Sequence, residues 1–84
     1  MRFCYITFRS VTPAQRAEGI LRRTGVDCTI QRTPRWMEEQ GCGYSLRLRH
    51  RDLMQAVKTL RDGGVMFRKV YLQGENGVFE ELEV

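Results

Sequence analysis

Two segments with helical periodicity, each placed between short segments of alternating polarity, constrain the fold of this chain most strongly. In the first alternating segment, Phe3 to Phe8, the apolar residues Cys4 and Ile6 share one side of an extended chain with Phe8. This period of two is typical of a β-strand. The segment that follows has a period near 3.6 and indicates a helix. A strand followed by a helix is therefore the first unit of the predicted fold.

The first helix is predicted from its start and stop signals in SVTPAQRAEGILRRTG. Thr12 is the expected N-cap, with Pro13 at the first helical position and Gly25 just after the end. Gly19 lowers the helix propensity, and we expect it to allow a close approach to the sheet. The apolar stripe predicted to face the sheet consists of Ala14, Ala17, Ile20 and Leu21.

The rest of the chain repeats the pattern of strands around one helix. Apolar and polar residues alternate over residues 26–31 and 44–49, which predicts two strands, the first with Cys28 facing inward. The residues from Arg32 to Gly41 between them are predicted to form a loop. RDLMQAVKTLRDGG predicts a second helix that ends at its two glycines, and MFRKVYLQ a further strand. The apolar face of this helix is predicted to contain Leu53, Ala56, Val57 and Leu60.

The resulting β-α-β-β-α-β order predicts an α+β fold of the ferredoxin-like, split βαβ type. Such a domain has a four-stranded antiparallel sheet with two helices on one face, here over residues 1–73. Residues 74–84 begin with a turn-like Glu75-Asn76-Gly77 and form either a tail or an extra short strand.

Length and charge limit the function classes. A chain of 84 residues forms one domain that is too small to enclose a large cofactor together with a substrate pocket, so we expect a carrier or binding module without a cofactor rather than an enzyme. The net charge of +4, carried mostly by arginine, suits contact with anionic groups. The N-terminal decapeptide has no signal-peptide pattern, and no stretch approaches the length of a membrane span, so we expect a cytoplasmic protein.

The three cysteines are the candidate chemical groups. Cys4, Cys28 and Cys42 are widely spaced without a C-x-x-C pair, which argues against disulfides in the reducing cytoplasm and against a zinc site unless His50 contributes. Cys4 and Cys28 have the parity of core residues. Cys42, between Gly41 and Gly43, is either an accessible thiol on a hinge or the first inward residue of the third strand, and the sequence leaves both interpretations open.

Two further features bear on Cys42. The predicted topology sets the start of the third strand at the same edge as the start of the first strand and the end of the second. Arginines are thereby expected near the thiol, where guanidinium groups would lower its pKa. A Cys–His dyad is excluded, since about 25 Å of extended strand separates His50 from Cys42. Trp36 is predicted to be either a lid or an anchor for a partner protein. The arginines expected near Cys42 are Arg2, Arg22, Arg23, Arg32 and Arg35.

The sheet face without helices offers an alternative function. It is predicted to present aromatic and basic side chains, which could bind single-stranded RNA. RNA binding is the less favoured hypothesis for this face, because the third strand has Ser45, Arg47 and Arg49 where the RNA-recognition signature has aromatic residues. We favour burial of this face in a homodimer or against the acidic EELE segment. The other residues assigned to this face are Phe3, Tyr5, Lys69 and Tyr71.

Over residues 3–72 the sequence resembles the small bacterial domains of the selenium/sulfur carrier-like family. The resemblance lies in YITFRSVTPAQRAEGILRRTGV, TPR, GCGYSLRL and LMQAVKTLRDGGV. In that family a Cys-Gly pair precedes a strand and follows a Pro-Arg loop, which Cys42-Gly43 and Pro34-Arg35 match. The resemblance implies that Cys42 carries sulfur or selenium as a persulfide or perselenide between a donor and an acceptor protein. The chain departs from the family in lacking a serine within WMEEQG.

Overall fold

The computed structural model describes residues 2–33 and 43–84, in which the chain forms five strands and two α-helices. A single 3₁₀ turn, His50–Asp52, leads into the second helix. The elements in chain order are β1 (Phe3–Phe8), α1 (Val11–Arg23), β2 (Cys28–Arg32), β3 (Tyr44–Arg49), α2 (Leu53–Asp62), β4 (Val70–Gln73) and β5 (Phe79–Leu82).

The five strands form one sheet with the spatial order β2-β3-β1-β4-β5, and every neighbouring pair is antiparallel. The predicted α+β class, with an antiparallel sheet and two helices, is confirmed. The prediction of four strands is wrong, because the residues after the Glu75-Asn76-Gly77 turn return along β4 as β5. The ferredoxin-like split βαβ assignment stays a prediction.

The turn that creates β5 is built from backbone hydrogen bonds and a glycine. Gly77 has a φ of 81°, a left-handed conformation that favours glycine. The Gly74 N–H donates to the Val78 carbonyl at 2.8 Å, and the Asn76 side chain accepts from the Val78 N–H at 3.1 Å. These bonds reverse the chain, so that Gln73 pairs with Phe79 and Val70 with Leu82.

Helix α1 starts earlier than its sequence signals predict. Its N-cap is Ser10 rather than Thr12, so Pro13 occupies the third helical position. Proline is tolerated throughout the first turn, because the backbone N–H groups there have no partner within the helix. The position of Pro13 therefore does not identify which residue begins the helix. The end was predicted correctly, since Gly25 follows the C-cap residue Thr24 with a φ of 85°.

Both helices pack on one face of the sheet and enclose a single apolar core. The predicted inner residues Ala14, Ala17 and Leu21 of α1 are buried in it, as is the whole predicted face of α2. Gly19 differs from its prediction: it is exposed, and a Cβ added there would meet no atom within 4 Å, so it provides no close approach to the sheet. The strand residues in the core are Cys4, Ile6, Phe8, Cys28, Leu46, Leu48, Val70 and Leu72.

Candidate functional site

The candidate site is the start of β3, where Gly43 follows the candidate thiol in the sequence. Arg32 lies beside it, because β2 ends where β3 begins: Arg32 pairs with Tyr44, and the Thr33 N–H donates to the Gly43 carbonyl at 3.0 Å. The structure therefore brings two of the predicted site residues together. The others, Pro34, Arg35, Trp36, Gly41 and Cys42, lie outside the described residues.

Arg2 lies at the opposite end of the sheet from Gly43. Its carbonyl accepts a hydrogen bond of 3.0 Å from the N–H of His50, just after β3 ends. The reason is the antiparallel pairing of β1 with β3, which sets the start of one strand against the end of the other. The starts of β1 and β3 were expected to lie together, and this prediction is wrong. Arg2 is therefore not part of the expected arginine cluster.

The two arginines at the end of α1 also lie away from Gly43. The Nη2 atom of Arg22 donates to the carbonyl of Cys28 at 2.8 Å, which places it at the start of β2, and the Nε atom of Arg23 donates to Gly19. Since β2 and β1 run in the same direction, the start of β2 lies at the Arg2 end of the sheet. Of the described arginines that were predicted to surround the thiol, Arg32 alone lies near the start of β3.

Other positive groups occupy the edge at the start of β3. Phe8, the last residue of β1, pairs with Tyr44, the first residue of β3, and Arg9 directly follows Phe8. Helix α1 begins directly after, and its first turn contains no acidic residue. The positive end of the α1 dipole therefore lies at this edge, with no acidic residue in the first turn to offset it. Arg9 was not predicted here, because the start of β1 rather than its end was expected beside the start of β3.

The two described cysteines are buried, as predicted, and are poor nucleophiles. Burial raises the pKa of the Cys4 thiol to about 11. Burial also raises the pKa of the Cys28 thiol, an effect that Arg22 partly offsets and that Glu18 and Asp27 reinforce. Because the thiolate is the reactive form, both cysteines remain neutral and unreactive near neutral pH.

The raised pKa of Cys4 predicts a loss of stability in alkali. Between pH 9.0 and about 11 the unfolded chain gives up the Cys4 proton while the folded chain keeps it, so stability falls as the pH rises. The expected loss from this group is on the order of 2 kcal/mol. Urea unfolding of the wild type and Cys4→Ala across this pH range measures it, and the curve of the variant should fall less steeply. Parallel curves would contradict a buried, protonated thiol at this position.

Two hydroxyl groups near the start of β3 were missed by the sequence analysis. The Oγ1 atom of Thr33 and the Oγ atom of Ser45 are buried and have no hydrogen-bond partner among the described residues. In the β2–β3 register both belong to the sheet face without helices. Alternation alone predicted that Ser45 would meet solvent, and the sequence contains no signal for its complete burial.

Two substitutions test whether the buried Ser45 hydroxyl forms a hydrogen bond, with the bonded hydroxyl of Thr7 as the control. We expect Ser45→Ala to leave stability unchanged or to raise it, because the buried hydroxyl is unpaired. Thr7→Val, on the adjacent strand and the same face, should lower the free energy of unfolding by about 1 kcal/mol. The Thr7 hydroxyl accepts from the Lys69 N–H at 3.0 Å and is within 3.3 Å of the Lys69 carbonyl. Chemical denaturation of both variants checks this, and a larger loss for Ser45→Ala would reveal a bonded hydroxyl.

The sheet face without helices presents the predicted aromatic and basic residues, but its rings already have partners. The Tyr5 ring packs edge-on against Phe79 of β5 at a centroid separation of 5.5 Å. The guanidinium of Arg47 lies 4.8 Å from the centre of the Phe3 ring. Lys69 forms an ion pair of 3.7 Å with Glu81, one of the acidic residues expected to meet this face. Contacts within the chain thus occupy much of the surface that would stack on RNA bases.

Comparisons with known proteins give one match. A family model described as "Putative Se/S carrier protein-like" matches residues 3–72, a range that contains the start of β3 and the loop before it. Searches of curated proteins and of solved structures found no match. Among residues 2–33 and 43–84, no helix is long and apolar enough to cross a membrane. In the same ranges, no three His, Cys, Asp or Glu residues are grouped so that they could hold a metal ion.

Proposed function

Because the chain belongs to the selenium/sulfur carrier-like family, whose model spans residues 3–72, we propose that it carries sulfur or selenium on Cys42 and passes it to a partner enzyme. The family match is the observation that carries this proposal. The matched range includes Cys42-Gly43 and Pro34-Arg35, the two residue pairs that correspond to the family's Cys-Gly pair and Pro-Arg loop. The carrier is loaded and unloaded stoichiometrically and catalyses no reaction of its own.

The proposed loading step is an exchange between sulfur atoms. The Cys42 thiolate attacks the outer sulfur of a persulfide, R–S–SH, on the donor protein. A new S–S bond forms at Cys42, the S–S bond of the donor breaks, and the donor cysteine leaves as a thiolate. The transferred sulfur keeps its proton, and the reaction needs no oxidant or reductant. Transfer to the acceptor is the same exchange with an acceptor thiolate as nucleophile, and a perselenide follows the same scheme.

The chemistry of the other cysteines supports the choice of Cys42. Cys4 is completely buried and Cys28 nearly so, and burial raises the pKa of both thiols. Neither can meet the active-site cysteine of a donor while the domain stays folded. Cys42 is the one remaining cysteine in the sequence.

The positive groups at the start of β3 also favour the proposal. Arg32 is the last residue of β2 and Arg9 directly follows β1, the two strands on either side of β3. The N-terminus of α1, whose first turn contains no acidic residue, lies at the same edge. Positive charge lowers the pKa of a nearby thiol and stabilises a persulfide anion. These groups replace the larger arginine cluster expected from the sequence.

The experiment that tests the function is loading followed by intact-mass measurement. The protein is incubated with a cysteine desulfurase and cysteine, and in parallel with a selenocysteine lyase and selenocysteine. We expect the mass to increase by one sulfur or one selenium atom, to be reversed by a reducing agent, and to map to the peptide that contains Cys42. A free thiol that alkylates normally but gains no chalcogen from either donor would contradict the proposal.

A further inference from the structure

A groove separates the N-terminal part of α1 from the segment that joins α2 to β4. Its volume is about 500 Å³, within the range of small-molecule sites. Its apolar lining comes from Pro13 on α1 and from Val65, Met66 and Phe67 on the joining segment. Met66 is 85% exposed, so its side chain is accessible to a ligand in the groove.

Three arginines surround this apolar lining. Arg9 follows β1, Arg16 lies on the second turn of α1, and Arg68 precedes β4, so three separate segments supply the positive charge. Arg16 is oriented across the groove, with its Nη2 atom 3.5 Å from the carbonyl of Gly63 at the end of α2. Among residues 2–33 and 43–84, no acidic residue lines the groove.

The start of α1 adds to the positive character of the groove. Thr12, in the first turn, is one of the lining residues. The side chain of the N-cap residue Ser10 makes no capping hydrogen bond, and the first turn contains no acidic side chain. Pro13 has no N–H. The N–H groups of Val11 and Thr12 are not capped by Ser10, so an anion held by the arginines can accept hydrogen bonds from them.

We propose that this groove binds a small organic anion, a molecule with an apolar or aromatic body and a phosphate, sulfonate or carboxylate group. The body would pack against Val65, Met66 and Phe67, and the anionic group would meet the arginines. Arginine matches the planar geometry of such oxyanions through paired hydrogen bonds. The confined volume, together with an apolar lining, favours a small ligand over a polyanion, which requires a continuous basic track.

The groove lies near the start of β3. Arg9, which lines the groove, directly follows Phe8, and Phe8 pairs with Tyr44, the first residue of β3. An anion bound by Arg9 would therefore lie at the same end of the sheet as the start of β3. The proposal concerns binding alone and requires no chalcogen chemistry, so loading of Cys42 and occupancy of the groove succeed or fail independently.

The test uses the full chain labelled with ¹⁵N, titrated with 1-naphthyl phosphate and followed by amide chemical shifts. Two matched probes separate the contributions: 1-naphthol has the apolar body without the charge, and inorganic phosphate has the charge without the body. We expect saturable shifts at Thr12, Val65 and Phe67 with 1-naphthyl phosphate. We also expect each of the other two probes to bind at least about tenfold more weakly, as the loss of one charged or apolar contact implies.

Variants locate the binding site. Arg9→Gln combined with Arg16→Gln should weaken 1-naphthyl phosphate binding about tenfold or more, while Arg51→Gln, at the other end of the sheet, should leave it unchanged. Both arginines are exposed, so the double variant should keep the amide spectrum of a folded domain. Equal affinity for 1-naphthol would overturn the anion requirement. Shifts centred on Arg2, Arg49 and His50, or binding unaffected by the double variant, would overturn the assignment to this groove.

Discussion

Replacing Cys42 with serine should abolish loading with sulfur or selenium completely. Serine has nearly the same size, but its hydroxyl stays protonated at neutral pH and cannot form an S–S or Se–S bond. Intact-mass measurement after incubation with a cysteine desulfurase and cysteine should show one added sulfur on the wild type and none on Cys42→Ser. The circular dichroism spectrum of the variant should equal that of the wild type, because the core of the domain is built from other residues.

The control for this result is Cys28→Ala, which removes a thiol that burial makes unreactive. This variant should load to the same extent as the wild type, at a modest cost in stability. Loading that survives Cys42→Ser but is lost in Cys28→Ala would move the carrier function to β2. Loading lost in both, with folding intact, would indicate that the donor recognises the domain through more than one cysteine region.

The start of β3 should also contribute to the loading rate through charge. If Arg9 and Arg32 stabilise the thiolate and the persulfide anion at this edge, raising the ionic strength should slow loading, since salt screens exposed charges. The extent of loading at equilibrium should change less than the rate. A rate that falls with salt would indicate an electrostatic contribution of the start of β3 to loading, and a rate independent of salt would indicate a purely steric role.

The strands and helices could be predicted because their periodicities are strong and local. Phe3–Phe8 and Tyr44–Arg49 were predicted to the residue, and the apolar stripe of α2 is wholly buried. The fifth strand could be predicted only as an alternative to a tail, because Phe79–Leu82 contains two glutamates and only four residues. The segment forms a strand because the Gly77 turn brings it alongside β4, whose outer edge can pair with it. That edge exists only once the sheet has formed, so the segment's own sequence does not show it.

The candidate site was predicted by residue type but not by arrangement. Gly43 and Arg32 meet because β2 and β3 are consecutive antiparallel strands, which the sequence order suggested. Arg2 was misplaced although the predicted antiparallel sheet already sets the start of β1 against the end of β3, so the error lay in the strand direction and not in a missing sequence signal. The groove beside Arg9 could not be predicted, since its walls come from segments about fifty residues apart.

The second large effect concerns stability, and it comes from Phe8 at the end of β1. Phe8 is 1% exposed and belongs to the core between the sheet and the helices. Phe8→Ala should lower the free energy of unfolding by about 3 to 5 kcal/mol, because it removes a large apolar side chain and leaves a cavity. A domain of this size has a total stability of only about 4 to 13 kcal/mol, so the variant should be partly unfolded at 37 °C.

The matched control is the same chemical change on the other face of the sheet. Phe79 of β5 is half-buried and contacts Tyr5 by the edge of its ring, so Phe79→Ala should cost about 1 to 2 kcal/mol. Urea unfolding of both variants measures the difference. A large loss for Phe8→Ala with a small loss for Phe79→Ala means that the core on the helix side holds the domain together. Equal losses would contradict this and would show that β5 and the face without helices form a second core.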